Sequence, residues 1–281
     1  MTENQTSAEP EIGKNFIDVE NVIRSKNPKL LKYLPKFIIN YLKRIIHQDE
    51  MNATIYKHRD KFGLDFVDAT MKDFNIKVEV EGLENIPSKG RCILVANHPL
   101  GGIDGMAFFQ AVGKVRRDLV FPVNDLLLAL PGLKILYVPI NKHGLNTQNI
   151  AIIEKTFASE QAILYFPAGL CSRKKRGQII DLEWKKTFIS KAKKYQREVI
   201  PTYINGRNTN FFYNLANFRK FLGIKINFEM LYLVDEMYKY QNKTIKIIFG
   251  KPISYKTFDN TLKDTQWAEK VKQEVYALSK K

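Results

Sequence analysis

The chain's apolar positions follow two different rhythms. Between about residues 20 and 75 they recur at three- and four-residue steps. In KLLKYLPKFIINYLKRIIHQ, the residues Leu30, Leu31, Leu34, Phe37, Ile38, Tyr41, Leu42, Ile45 and Ile46 form one stripe. Lys29, Lys32, Lys36, Lys43 and Arg44 fall opposite it at 100° per residue, so the spacing predicts an amphipathic helix. Pro35 lacks an N–H and either kinks this helix or starts its main segment. Two uses fit the pattern: a helix packing its stripe on the rest of the fold, or a basic helix lying on an anionic bilayer through those five cations.

From residue 76 the rhythm becomes one of alternation between strand and helix. IKVEVEGLENI alternates polar and apolar as a half-exposed strand does. RCILVANH, DLVFPVN, KILYVPIN, AILYFPAG, EVIPTYING and IKIIFGKPI are short apolar runs ending in loops. GMAFFQAVGKV, TQNIAIIEKTFASE and WKKTFISKAKKYQ between them carry helical spacing. The expectation is an α/β fold with a mostly parallel central sheet covered by helices, preceded by an N-terminal helical segment. The organisation expected is a disordered polar tail over 1–19, a helical segment over 20–75 and an α/β domain over 76–281. In such folds ligands gather at the carboxyl ends of strands, so the loops after residues 97, 140, 166 and 204 are expected to converge.

Composition narrows the partners. The 281 residues include 45 Lys and Arg against 29 Asp and Glu, a net charge of +16, which favours anionic neighbours: nucleic acid, lipid headgroups, phosphorylated substrates or an acidic carrier protein. Two cysteines, Cys92 and Cys171, form no disulfide framework, and the polar start MTENQTSAEPEIGKN has no apolar signal core, so a reducing cytosolic setting is expected. The most apolar stretch, LLLALPGLKILYVPI, is broken by Pro131, Gly132 and Lys134, which argues against a spanning helix.

The stretch VANHPLGGIDG, 95–105, places one of four histidines at a strand end, then two glycines, then an acid. His98 and Asp104 fit a general base and the carboxylate that orients it. They equally fit a polar loop residue and the cap of a helix beginning at Gly105, and Asp104 is able to fill both roles. Cys171 has cationic neighbours, Arg173 and Lys174, but the sequence marks no histidine as its partner, so it is not assigned as a nucleophile.

Asn97, His98 and Asp104 resemble the first motif of the glycerolipid acyltransferases, the PlsC-like enzymes, which read N-H-x4-D in a strand-to-helix turn. Five residues intervene here, and a bulge at Gly101-Gly102 would absorb the extra one. Phe166, Pro167, Gly169 and Ser172 match that family's F-P-E-G-T-R-S, with Ala168 in place of the glutamate and Leu170-Cys171 in place of Thr-Arg. Lys142 in YVPINKHG stands nearest the phosphate-pairing arginine of the second motif, while VIPTYING and IIFGKPI resemble later strands and turns. The likeness covers about residues 75–255. NHPLGGIDG, FPAGLCSRK, DLEWKKTFI and EMLYLVDEM together look like a Bacteroidetes-type branch associated with O-acylation of lyso-glycine or lyso-ornithine lipids.

The resemblance implies transfer of an acyl group from a thioester to a lyso-lipid hydroxyl. His98 would act as base and Asp104 as its orienter, with Asn97, Gly101, Gly102, Lys142, Phe166, Pro167, Gly169, Ser172 and Arg173 contacting substrate. Backbone N–H groups of the Gly101-Gly102 turn or the 166–169 loop are the expected oxyanion donors. The missing glutamate implies an acceptor other than simple lysophosphatidic acid. The basic run Arg173 to Arg176 is either a solvated face or a grip on an anionic headgroup or carrier. No bound cofactor and no metal are expected, since His47, His58 and His143 lack ligand spacing. The co-substrate would be acyl-ACP or acyl-CoA, and the location peripheral on the cytoplasmic face of the inner membrane. Two other classes are a catalytically inactive lipid-binding protein and a nucleic-acid-binding protein. The latter lacks any zinc-finger or ribonucleoprotein motif, and a hydrolase is disfavoured by the absence of G-x-S-x-G.

Overall fold

In the computed structural model, residues 16–123, 130–139 and 147–280 are described. Five helices come first: α1 (Val19–Lys26), α2 (Pro28–Tyr33), α3 (Lys36–Ile45), α4 (Gln48–Lys57) and α5 (Leu64–Asp73). Pro35 is the N-cap of α3, so the long amphipathic pattern divides into α2 and α3. The stripe on α3 also divides: Ile39 and Ile45 are buried, while Phe37 and Tyr41 are exposed.

The rest alternates: β1 (Lys77–Glu81), β2 (Cys92–Ala96), α6 (Gly102–Gly113), β3 (Leu119–Val123), β4 (Tyr137–Pro139), α7 (Thr147–Ala158) and β5 (Ala162–Tyr165). A hairpin follows, β6 (Arg173–Lys175) and β7 (Gln178–Ile180), then α8 (Thr187–Tyr195) and β8 (Glu198–Ile204). The chain closes with α9 (Asn210–Phe221), α10 (Leu233–Tyr238), β9 (Thr244–Phe249) and α11 (Asp264–Leu278). Each of the seven runs predicted as strands lies in one sheet, ordered β1-β9-β8-β2-β5-β3-β4. All its pairings are parallel except β8 with β9.

Alternation along β2 shows why both faces must be covered. Cys92, Leu94 and Ala96 join a core cluster with Phe66, Val67 and Met71 of α5 and Ala107, Phe108 and Ala111 of α6. Ile93 and Val95 join the opposite cluster with Phe188 and Ile189 of α8 and Ala268, Val271 and Val275 of α11. A strand buried on both faces reads as a continuous apolar run, as CILVA does. Through α5 the helical segment supplies part of the core of the α/β domain.

The basic run after Ser172 is neither a loop nor a helix face. It is the β6–β7 hairpin, turning through Arg176 and Gly177, both at positive φ (49° and 82°), as a tight two-residue turn requires. Residues 205–243, which break the strand-helix alternation between β8 and β9, form α9, a 3-10 turn at Phe228–Tyr232 and α10. They pack over the carboxyl end of the sheet, where Met237 belongs to the main core and Leu233 approaches the position of Gly101.

Candidate active site

Three strand ends build the site. β2 delivers Asn97 and His98, β5 delivers Phe166, and β8 ends at Ile204 between Asn97 and the start of the 205–243 segment. The Asn97 side chain donates through Nδ2 to the Ile204 carbonyl (2.9 Å) and accepts from the Ile204 amide through Oδ1 (2.7 Å). Both ends of this buried amide are therefore engaged by the neighbouring strand. Asn97 is a clamp between β2 and β8.

His98 Nδ1 lies 3.0 and 3.1 Å from the two carboxylate oxygens of Asp104. The extra residue in the motif is absorbed at Gly101, whose φ of 89° and ψ of −128° favour glycine. A Cβ there would also lie 3.0 Å from Leu233. Asp104 is fully buried, and its Oδ2 also accepts from the amides of Leu100 (2.8 Å) and Gly101 (3.3 Å). Orienting the imidazole and bracing the start of α6 are thus one set of bonds. That helix begins at Gly102 and not at Gly105.

Burial taken alone would lower the His98 pKa. The Asp104 carboxylate, hydrogen-bonded to the ring, and the adjacent Cys171 outweigh it, and the pKa rises well above the ordinary histidine value. The His98 side chain is 17 % exposed. Phe166 stacks on it at 4.1 Å between centroids and 17° between planes, and is itself packed edge-on against Phe121.

The loop after β5 contributes shape more than charge. The Ser172 amide donates to the His98 carbonyl (2.7 Å), and the Ser172 hydroxyl donates to Asp181 Oδ1 (2.5 Å). Asp181 also accepts from the His98 amide (3.2 Å) and, through Oδ2, from the Trp184 indole (2.8 Å). Burial pushes the Asp181 carboxyl up, against the pull of these donors. This buried acid ties both loops to one point. Sequence reasoning passed over it, because it sits inside a basic run with no motif to mark it.

Other expected contacts sort as follows. The Gly169 amide donates to the Phe166 carbonyl (3.0 Å) and the Gly101 amide faces Asp104, so neither is the open oxyanion donor expected of it. The Pro167 carbonyl accepts from the Lys185 amide (3.1 Å). Arg173, expected to contact substrate, directs Nη1 at the Cys171 carbonyl (2.8 Å) and Nη2 at buried Glu229 (3.0 Å), which anchors the 205–243 segment instead. Ala168 is buried with Trp184 and Phe188, so a glutamate there would place its charge in an apolar cluster. Lys142 and His143 lie outside the described residues. Cys171 has no exposed surface and reaches the His98 ring, a proximity hidden by the 73 positions between them.

Asn97 and Pro99, which flank His98 in sequence, line a cavity of about 410 Å³ together with Ser172, Asn205, Arg207 and Tyr240, while the His98 side chain itself is not part of the lining. Among the described residues no three His, Cys, Asp or Glu side chains gather as a metal site. His47 approaches Asp235 (3.1 Å) and His58 approaches Asp73 (2.9 Å). The five cations expected to meet a membrane also differ: Lys29, Lys32, Lys36 and Arg44 are exposed, whereas Lys43 pairs with Glu20 at 2.6 Å.

Comparison with known proteins gives consistent findings. The model of a family described as Acyltransferase matches residues 21–281. A lyso-glycine lipid O-acyltransferase of Bacteroides thetaiotaomicron is 50 % identical over 94 % of this chain and 97 % of that protein. A second protein of that description, from Phocaeicola vulgatus, is 49 % identical over 94 % of this chain and 95 % of its own length. The crystal structure of the 1-acyl-sn-glycerophosphate acyltransferase PlsC from Thermotoga maritima aligns with a TM-score of 0.47 and 17 % identity, covering 87 % of this chain and 93 % of that one.

Proposed function

The chain belongs to the acyltransferase family, and from that premise we propose that it moves a fatty acyl group from an acyl thioester to the hydroxyl of a lyso-glycine lipid at a membrane surface. The observation that carries this reading is the His98–Asp104 pair, 3.0 Å apart at the head of α6, with the His98 side chain 17 % exposed.

An alcohol is a weak nucleophile at neutral pH, whereas a thioester carbonyl is already reactive. In the proposed step the hydroxyl oxygen attacks the carbonyl carbon while its proton passes to Nε2 of neutral His98. Asp104 holds the ring through Nδ1 and stabilises the imidazolium that forms. The Gly102 amide, which opens α6, is the proposed donor to the developing oxyanion. Collapse of the tetrahedral intermediate breaks the C–S bond, and the imidazolium returns its proton to the departing thiol. An ester and a free thiol result. The thiol belongs to coenzyme A or an acyl carrier protein, the second of which is suited to a basic enzyme.

The acceptor's headgroup is a carboxylate, and Arg207 in the lining of the cavity next to Asn97 and Pro99 supplies the matching cation. In this reading exposed Lys29, Lys32, Lys36 and Arg44 face anionic headgroups, and the protein works peripherally at the cytoplasmic face of the inner membrane. Among the described residues no helix is long and apolar enough to cross a membrane.

The test is an assay of the purified protein with lyso-glycine lipid and either acyl-CoA or acyl carrier protein thioester, read by mass spectrometry. O-acylated glycine lipid and stoichiometric free thiol are expected, with much slower product formation from the glycine methyl ester. Thiol release that is indifferent to the presence of any lyso-lipid would overturn the reading.

A further inference from the structure

The 205–243 segment carries an apolar stripe that is largely left exposed by the described residues. Phe212, Tyr213 and Ala216 of α9 are buried, the first two against Cys171. On the other side Phe211, Leu215, Phe218 and Leu222 follow at steps of four, three and four, within about 60° of arc at 100° per residue. Phe211, Phe218 and Leu222 are exposed, Phe221 at the last position of the helix is 85 % exposed, and beyond the helix Ile226 is 76 % exposed.

The exposed side of α2 and α3 repeats the arrangement. Leu30, Tyr33, Phe37 and Tyr41 follow at steps of three, four and four, with Tyr33 79 % and Phe37 71 % exposed. Far apart in sequence, the two stripes meet in space. The hydroxyls of Tyr41 and Tyr232 are 2.5 Å apart, and the Tyr232 ring meets Phe211 edge-on at 5.0 Å. The result is one continuous apolar surface of a kind that soluble monomers rarely leave in water.

Charge identifies the occupant. Residues 21–48 and 200–228 hold no carboxylate, and Glu229, within the 221–231 stretch, is buried and paired with Arg173 and Arg219. Lys29, Lys32, Lys36, Arg44, Lys220 and Lys225 are exposed around the apolar side chains. An apolar centre ringed by cations with no acid among them complements an anionic bilayer, not a second copy of the same positive surface. We propose that α9 and the 221–231 stretch, joined to α2–α3 through Tyr41 and Tyr232, seat the protein on an anionic lipid bilayer.

The site follows from this seating. The inner face of α9 packs on Cys171, and the next residue, Ser172, donates its amide to the His98 carbonyl. The loop of His98 therefore lies about one helix diameter, about 10 Å, from the bilayer-facing stripe. A lyso-lipid reaches it without leaving the interface, a step that rests on the acyl-transfer reading above.

The experiment compares the full chain with the variant Phe218→Ser/Phe221→Ser/Leu222→Ser/Ile226→Ser. Partition is measured by cosedimentation with phosphatidylglycerol–phosphatidylcholine vesicles and with phosphatidylcholine vesicles alone. The wild type is expected to prefer the anionic vesicles, and the variant to bind them at least about tenfold more weakly. Its melting temperature is expected to be unchanged, since the replaced side chains already sit in water. Transfer to a short-chain acceptor dissolved as monomers should be unchanged, while transfer to acceptor embedded in vesicles falls by about the same factor as binding. Equal partition of wild type and variant would overturn the proposal. So would a wild-type dimer in sedimentation equilibrium that the variant converts to monomer. A wild type that binds anionic vesicles through this surface but transfers no acyl group would remove the acyl-transfer reading and leave the seating in place.

Discussion

The loop leaving β2 and the loop leaving β5 meet at one imidazole and bring it opposite things. The first supplies the titrating pair, His98 and Asp104, with the carboxylate accepting from two backbone amides as well as facing the ring. The second supplies a flat apolar platform in Phe166, a backbone tether in Ser172, and at Ala168 no charge at all. Its polar reach is turned inward to Asp181. The difference teaches that in the proposed mechanism proton transfer rests on a single dyad, while the opposite loop fixes the ring's position and adds only Cys171 to the influence of Asp104 on it.

Four substitutions break or sharpen that contrast. His98→Ala should lower acyl transfer by about 10² to 10⁴-fold with the melting temperature near that of the wild type, measured as thiol release and ester formation. Asp104→Asn should lower transfer on the order of 10²-fold and move the pH profile. Transfer needs neutral His98, so the rate of the wild type rises with pH through a pKa that stands above the ordinary histidine value. Removing the carboxylate removes what holds that value up, and the acid limb of kcat/KM should shift to lower pH.

Ala168→Glu should be felt in stability before chemistry. An unpaired carboxylate among Trp184 and Phe188 should cost about 3–5 kcal/mol in denaturant unfolding, with no gain in transfer to lysophosphatidic acid. A gain would mean that the second loop retains an electrostatic role. Ser172→Ala is the mildest: loss of one donor to Asp181 should cost about 1 kcal/mol and change kcat less than tenfold, leaving KM for the acceptor unaltered. A large rise in KM would make Ser172 a substrate contact.

The sheet was legible because strands covered on both faces must be apolar throughout, and runs such as CILVA and AILY between turn residues are that requirement written out. The dyad was legible chiefly through the resemblance of Asn97, His98 and Asp104 to a family motif, since their spacing equally fitted a polar loop residue and a helix cap. Two features were hidden for physical reasons. Asp181 lies nine positions after Ser172 in a run dominated by Lys and Arg, and only the hairpin between them folds it back beneath His98. α9 reads FFYNLANFRKF, apolar on nearly every side, so its inward and outward faces carry no contrast of period. The exposed half emerges only once Phe212 and Tyr213 are seen to be buried. α11 was different: Ala268, Val271, Val275 and Leu278 mark its core face at three- and four-residue steps, a plain signal left unread.

The Asn97 clamp has a mechanical consequence. Its two bonds to Ile204 continue the hydrogen-bonding of β2 with β8 one residue beyond the strand's end, so the imidazole is mounted on the rigid frame of the molecule and not on its moving parts. In the proposed reaction, the nitrogen that takes the proton is thus held to the central sheet whatever the surrounding segments carry.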